Sequence, residues 1–286
     1  MMHPLSNAAP RRHVVVAGAN SPTGRLLLLL LRDSGIRVTA LVRRPAPLVA
    51  DDVISDWTNN PHSIRAIADA DAVVLLTGVF GAGCWEDYRA GMVDTAQRVA
   101  LALAERRTRV VYFSSLLADA ASDNWYLKAK GKAEQLLMQL PDSVIFRLGP
   151  VVRGSPQPLP FEQALLQPAP AAPVMLFGDL QRTSRPINLG DVATIAEAAA
   201  LGAGQPGIHE LGGPDEHSLE ELAQLANGVA VPVERLAGSP SSHTVRDLLA
   251  RIAAPRDAGL LAATARSFGL RLTPLSLAWP LDAVEV

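Results

Sequence analysis

The sequence predicts an α/β fold, a doubly wound parallel sheet with a small C-terminal substrate domain. Three observations predict it. Short apolar, β-branched runs recur through the first 150 residues and alternate with helical stretches. Those runs are apolar at consecutive positions, as strands covered on both faces must be. The first of them passes through a glycine turn straight into a leucine-rich helix, "VVVAGANSPTGRLLLLLL".

"HVVVAG" (13–18) is the first strand, a β-branched run ending in glycine. Thr23–Asp33 follows as a helix that is apolar nearly all round, as one buried against a sheet would be. "RVTALVRR" (37–44), "DAVVLLTG" (71–78), "TRVVYFSS" (108–115) and "DSVIFRLGP" (142–150) are further strands. Helices over Pro61–Ala70 and Trp85–Arg106 fall between them, the latter opened by Glu86 and Asp87. Beyond Pro150 the composition shifts: six prolines (156, 158, 160, 168, 170, 173) crowd residues 154–173, a loop-rich excursion. "INLGDVATIAEAAALGA" reads as a strand and a helix, with Asp191 as its cap. "GIHELGG" (207–213) is the last strand, with His209 as a structural residue on it. Ser218 and Glu221 form a capping box ahead of "LEELAQLANG". Val245–Ala254 and Ala258–Phe268 are short helices. The expected division is a nucleotide-binding domain over 1–150 and 187–213 and a smaller substrate-binding domain over 151–186 and 214–286.

Bulk composition narrows the function. The net charge of −2 leaves no basic excess for a nucleic-acid or membrane surface. Arg106, Arg107 and Arg109, the densest basic cluster outside the motifs, read as a solvated helix end. Cys84 is the only cysteine, which excludes an internal disulfide and fits a reducing, cytoplasmic setting. "MMHPLSNAAPRR" has no apolar core of a signal peptide, and Leu26–Leu31 is far short of a membrane span, so no membrane insertion is expected. No histidine–carboxylate cluster points to a metal.

The turn at Gly18–Gly24 sits between strand and helix, the context that gives a glycine pattern weight as a Rossmann nucleotide loop. Gly18 permits the tight turn and Gly24 lets helix and strand pack closely. The helix N-terminus then offers N–H groups and its dipole to a pyrophosphate. Pro22 suits the first helical turn, and Asn20, Ser21 and Thr23 supply polar groups, the two hydroxyls within reach of phosphate. A plain βα turn is the alternative. Arg43 and Arg44 end the second strand, where an acidic residue would hold the ribose 2′-OH of NAD. Guanidinium groups suit a 2′-phosphate, so NADP(H) is expected over NAD(H), against the alternative of a solvated strand end. Asp56 and Trp57 follow the next turn, placed to flank an adenine, though Trp57 also fits a core.

Of 26 basic residues only Lys128, Lys130 and Lys132 are lysines, all within "KAKGK". In so arginine-dominated a chain, lysine marks positions where arginine would not serve. Tyr126 precedes Lys130 by four residues, one face of a helix. The positive charge is expected to lower the phenol pKa, making Tyr126 a general acid or base toward a carbonyl. A compact ammonium at Lys130 would also bond the nicotinamide ribose.

"GANSPTG", "VRRP", "FSS", "YLKAK", "INLGDVA" and "HELGGPDEHSLEELA", in that order, resemble the short-chain dehydrogenase/reductase superfamily in its extended and atypical branches. NmrA-like proteins and the Rossmann-type accessory subunit of respiratory complex I are the nearest in flavour. The resemblance runs from His13 to about Leu270. It implies that Gly18, Ser21 and Gly24 line the pyrophosphate and that Thr77 and Gly78 sit near the cofactor ribose; Ser114 is a further cofactor-binding candidate. Tyr126 and Lys130 would be the catalytic pair and Ser115 the third catalytic group. Two positions depart from the pattern. Leu116 stands where extended members place a catalytic Ser or Thr, and Gly91 where they often carry asparagine.

Three functions follow. The first is an NADPH-dependent reductase or dehydrogenase acting on a small, mostly apolar carbonyl or activated alkene, with Tyr126 as proton donor. The second, resting on Leu116 and Gly91, is a non-catalytic NADP(H)-binding redox sensor or assembly protein with a protein partner. The third is a nucleotide-sugar epimerase or dehydratase, for which Arg153, Arg182 and Arg185 would hold the diphosphate. A small-molecule substrate and a monomer or homodimer are expected.

Overall fold

The computed structural model describes residues 11–154, 157–236, 248, 251 and 257–279. Its centre is a seven-stranded sheet of β1 (His13–Ala17), β2 (Arg37–Leu41), β3 (Asp52–Ile54), β4 (Ala72–Leu75), β5 (Arg109–Ser115), β6 (Ser143–Leu148) and β7 (Gly207–Leu211). The spatial order is β7-β6-β5-β4-β1-β2-β3, and every pairing is parallel. The chain reverses its direction of winding between β1 and β4, where Ala17 lies opposite both Leu41 and Leu75. In open α/β sheets the crevice beyond the strand ends at such a switch point is where ligands bind.

Helices cover both faces. α1 (Pro22–Asp33) and α7 (Leu189–Ala200) bury Leu27, Leu28, Leu31, Val192 and Ile195 against one. α2 (Pro61–Ala68), α4 (Asp94–Ala102) and α5 (Trp125–Leu137) bury Ile67, Val99 and Leu137 against the other. All the residues of β1, β4 and β5 are buried, which is why they read as unbroken apolar runs. A third apolar cluster joins Tyr126 and Leu127 to α6 (Pro160–Leu165), α8 (Leu219–Asn227) and α10 (Leu275–Ala278), the last of these following α9 (Ala258–Ser267).

Several local readings are corrected. β3 was not foreseen: it is a three-residue edge strand with Asp52 and Val53 exposed, so no apolar run betrays it. The helix expected over Trp85–Arg106 is α3 (Trp85–Tyr88), a π turn (Arg89–Val93) and α4, ending at Ala102. Arg109 is not at a solvated helix end. It is 7% exposed, pairs with Asp142, and donates to the carbonyls of Ala199, Ala203 and Gly204 at the end of α7. Asn188, not Asp191, caps α7, its Oδ1 accepting from Gly190 N at 2.6 Å. The capping box of α8 is present, with Ser218 Oγ on Glu221 N (3.1 Å) and Glu221 Oε2 on Ser218 N (2.8 Å). α9 lies where a helix was expected, whereas the helix expected over Val245–Ala254 falls outside the described residues except for Leu248 and Arg251.

Three carboxylates fasten the segment before and through α10. Asp191 accepts from both N and Oγ1 of Thr273 at 2.7 Å, and Asp215 from Leu275 N at 2.5 Å. Glu162, 1% exposed, accepts from the Trp279 indole and from the backbone N–H of Gly154, Arg153 and Leu159.

Candidate functional site

The glycine loop is built on two close approaches. At Gly18, φ is +78°, and a Cβ would lie 2.9 Å from the carbonyl of Leu76. At Gly24 a Cβ would lie 2.6 Å from the oxygen of Ala19. Neither position has room for a side chain, so strand, turn and helix close into a cradle. Ser21 is the N-cap of α1, its Oγ accepting from Gly24 N at 3.1 Å, and Pro22 begins the helix. Thr23 lines the cavity beside them, and Asn20 Oδ1 is held by the Arg25 guanidinium at 2.6 Å. Arg43 and Arg44 are exposed and pair with nothing among the described residues. Asp56 holds a left-handed turn (φ +47°) and accepts from Asn59 and Asn60. Trp57 is corrected to a core residue: it is 1% exposed, packed with Leu41, Ile67 and Leu75, which leaves no ring face for an adenine. Thr77 bonds Thr95 at 3.0 Å, while Gly78 lines the cavity, 3.9 Å separating its missing Cβ from Lys130 Nζ.

From the start of α1 a cavity of about 320 Å³ runs along the ends of β4 and β5 to Tyr126 and Lys130. Its far walls are Leu148–Val151, Leu159–Phe161, Leu189 and Val192. α5 places the pair. Asn124 caps the helix through Leu127 N at 3.1 Å, and Gly131 lets the Asp119–Ala120 backbone within 2.3 Å of where a Cβ would sit. Lys130 is 5% exposed. Its Nζ donates to the Phe113 carbonyl at 2.6 Å and lies 4.8 Å over the Tyr112 ring. Burial pushes its pKa down to about 7, opposed by the Glu134 carboxylate one turn on. Glu134 is itself held by Arg147, at 3.0 and 2.6 Å.

Tyr126 corrects an expectation. Burial, reinforced by Tyr88, pushes its phenol above the ordinary value, not below it. The Lys130 ammonium stands 5.7 Å over the tyrosine ring and gives its hydrogen bond to a carbonyl, so desolvation outweighs the charge. Lys128 is accounted for by the face of Trp85, 5.4 Å away. Nothing in the structure explains Lys132.

Strand parity separates the two serines of "FSS". Tyr112 packs with Ala133 and Leu137 of α5, and Phe113 with Val192 and Ile195 of α7. Side chains alternate along a strand, so Ser114 shares the α5 face with Lys130, and Ser115 the α7 face. Both serines line the cavity, but Ser115 Oγ donates to the Leu116 carbonyl at 3.1 Å, whereas Ser114, 4% exposed, has no partner for its hydroxyl among the described residues. The hydroxyl left without a partner among the described residues is therefore that of Ser114, and its Oγ is itself buried. Leu116 is buried.

The aromatic walls, Phe80, Phe113 and Phe161, had no signal in the sequence beyond their apolar character. Arg153, Arg182 and Arg185 do not line the cavity. Arg185 is held by Glu216 and the Pro214 carbonyl, and Arg153 by Gln157. Among the described residues no acidic, His or Cys cluster could hold a metal, and no helix is long and apolar enough to cross a membrane.

Residues 18–143 match the family of NAD(P)H-binding domains. No curated protein matches the chain. Solved structures share its fold. MoeE5 in complex with UDP-glucose and NAD superposes with a TM-score of 0.66 at 21% identity, over 89% of this chain and 98% of that one. The Bordetella bronchiseptica enzyme WbmH in complex with NAD+ gives 0.69 at 17%, over 94% and 96%. UDP-glucuronic acid 4-epimerase from Bacillus cereus, in complex with UDP-glucuronic acid and NAD, gives 0.63 at 18%, over 90% and 98%. The chain thus has a Rossmann-like α/β fold, and residues 18–143 match an NAD(P)H-binding domain, the fold and cofactor class that the resemblance to the short-chain dehydrogenase/reductase superfamily implied.

Proposed function

We propose that this NAD(P)-binding chain of the short-chain dehydrogenase/reductase type is an NADP(H)-dependent oxidoreductase acting on a small, mostly apolar carbonyl or activated alkene. One observation carries the reading: a single cavity, lined also by Ser114, joins the cradle at Ser21–Thr23 to a buried Tyr126–Lys130 pair. The smaller substrate-binding part, 151–186 and 214–286, would contribute the Leu159–Phe161 wall.

The residues fit a dinucleotide. Gly18 and Gly24 let strand, turn and helix close up so that the N-terminus of α1 faces the cavity, and Arg43 and Arg44 are guanidinium groups with no partner among the described residues, available to a 2′-phosphate. A bound nicotinamide supplies or accepts the hydride. The chain does the rest. Burial holds Tyr126 in its neutral phenol form, the state a proton donor needs, and its Oη gives the proton to the substrate oxygen. Ser114 Oγ donates a hydrogen bond to the same oxygen. Lys130, fixed by the Phe113 carbonyl, holds a cation or a neutral amine near neutral pH beside the tyrosine ring. The apolar wall keeps water from the developing charge.

The UDP-sugar complexes among the structural neighbours favour the nucleotide-sugar reading as the alternative. Against it stands the lining, which among the described residues holds no arginine for a diphosphate. Leu116 and Gly91 support the non-catalytic reading.

The test is to titrate the protein with NADPH, NADH and UDP-glucuronic acid and then to follow NADPH oxidation with carbonyl and enone compounds. NADPH binding with turnover on an apolar carbonyl is the expected result. Tight NADPH binding with no oxidation across the set would overturn catalysis. UDP-glucuronic acid binding to the cofactor complex would favour the sugar reading.

A further inference from the structure

We infer that Phe80 is a substrate-selecting residue, and that the substrate class it selects is flat, uncharged aromatic carbonyl compounds. The inference rests on the oxidoreductase reading and adds to it the shape of the substrate.

Phe80 is 51% exposed yet lines the cavity, its ring centroid 4.6 Å from that of Tyr126 at an interplanar angle of 34°. Half of an aromatic ring is thus left open beside the group that would meet the substrate oxygen. Phe113 and Phe161, both buried, belong to the same lining. Among the described residues the lining contains no carboxylate and no guanidinium, and the one ammonium there, Lys130, is already bonded to the Phe113 carbonyl. A ligand here gains from apolar and ring–ring contact, and a charged one finds no counter-ion.

The position of Phe80 is built in. Its neighbour Val79 occupies the space above Gly91, where a Cβ would come within 2.3 Å of Val79 Cγ2. Gly91 lies in the π turn of Arg89–Val93, and Gly81 turns the chain out of the loop at φ +68°. The absence of a side chain at 91 therefore lets the loop settle onto the helix, with Phe80 turned over Tyr126. The departure at Gly91 is thereby given a steric purpose.

The experiment uses the full chain loaded with oxidised NADP+, so that a ketone binds without being reduced. Acetophenone and cyclohexyl methyl ketone, with the same carbon skeleton but a flat or a puckered ring, are titrated calorimetrically. Acetophenone is expected to bind about fivefold tighter to the native protein. Phe80→Leu should abolish that preference while leaving the Kd for NADP+ unchanged. Gly91→Ala, which displaces Val79, should reduce it in a protein whose Tm shows it folded. Equal affinity for the two ketones, binding of neither, or a preference retained in Phe80→Leu would overturn the inference. Failure of NADP+ itself to bind would instead overturn the reading on which it rests.

Discussion

α1 and α5 both pack against the sheet and both face the same cavity, but they serve it with different parts. α1 offers its end: backbone amides, a capping serine and, at Gly18 and Gly24, the close backbone packing that seats the turn. α5 offers its side, where Tyr126 and Lys130 project one turn apart from a dry flank. A site made of backbone needs room and geometry. A site made of ionisable side chains needs partners and a local dielectric, and those come from elsewhere in the chain. Phe113 supplies a carbonyl, Tyr112 a ring face and Glu134 a carboxylate.

Four experiments sharpen the contrast. Tyr126→Phe removes the proton donor and nothing else, so kcat should fall by about 10²–10⁴ with the Kd for NADPH unchanged. Unchanged turnover would place the acid elsewhere. Lys130→Met tests the dry flank. The folded lysine has its pKa lowered to about 7 from 10.5, so between those values the unfolded chain binds more protons and native stability rises with pH. Denaturation at several pH values should therefore show the native protein gaining on the variant, by up to roughly 1.4 kcal/mol per pH unit, as pH rises from 7 toward 10. Below pH 7 the difference should level off; a flat difference across the whole range would deny the burial. Replacing Arg43 and Arg44 together with alanine tests the α1 side. NADPH affinity should fall about 10–100-fold while NADH affinity holds. Parallel loss of both would remove the 2′-phosphate assignment. Smallest is the serine comparison. Ser114→Ala should lower kcat about tenfold, the worth of one hydrogen bond to a developing charge, while Ser115→Ala leaves it nearly unchanged. The opposite order would return the role to Ser115.

The same contrast governs what was legible in the sequence. Backbone-built features were readable: strand runs, the Gly18 and Gly24 pattern and the capping box at Ser218 all announce themselves by residue type at a fixed spacing. The Tyr126–Lys130 pair was also readable as a spacing, but its electrostatics were not. The phenol moves up because burial acts on it and the ammonium does not reach its oxygen, and both facts belong to the tertiary structure. Ser114 against Ser115 was decidable in principle, since alternation along "VVYFSS" sends them to opposite faces. What was missing was which face carries α5. Phe80 was beyond sequence reasoning, because its place depends on Val79 meeting a glycine twelve residues on.

The three carboxylates that fasten residues 273–279 carry a practical consequence. Asp191 belongs to the helix whose Leu189 and Val192 line the cavity, and Glu162 to the helix whose Pro160 and Phe161 also line it. The late segment is a belt buckled to both helices. Truncating the chain at residue 272 would strand three buckles without a strap and leave the pocket slack, although no residue of the belt touches it. Engineering of this protein should treat 273–279 as part of the frame and spend its insertions and deletions elsewhere.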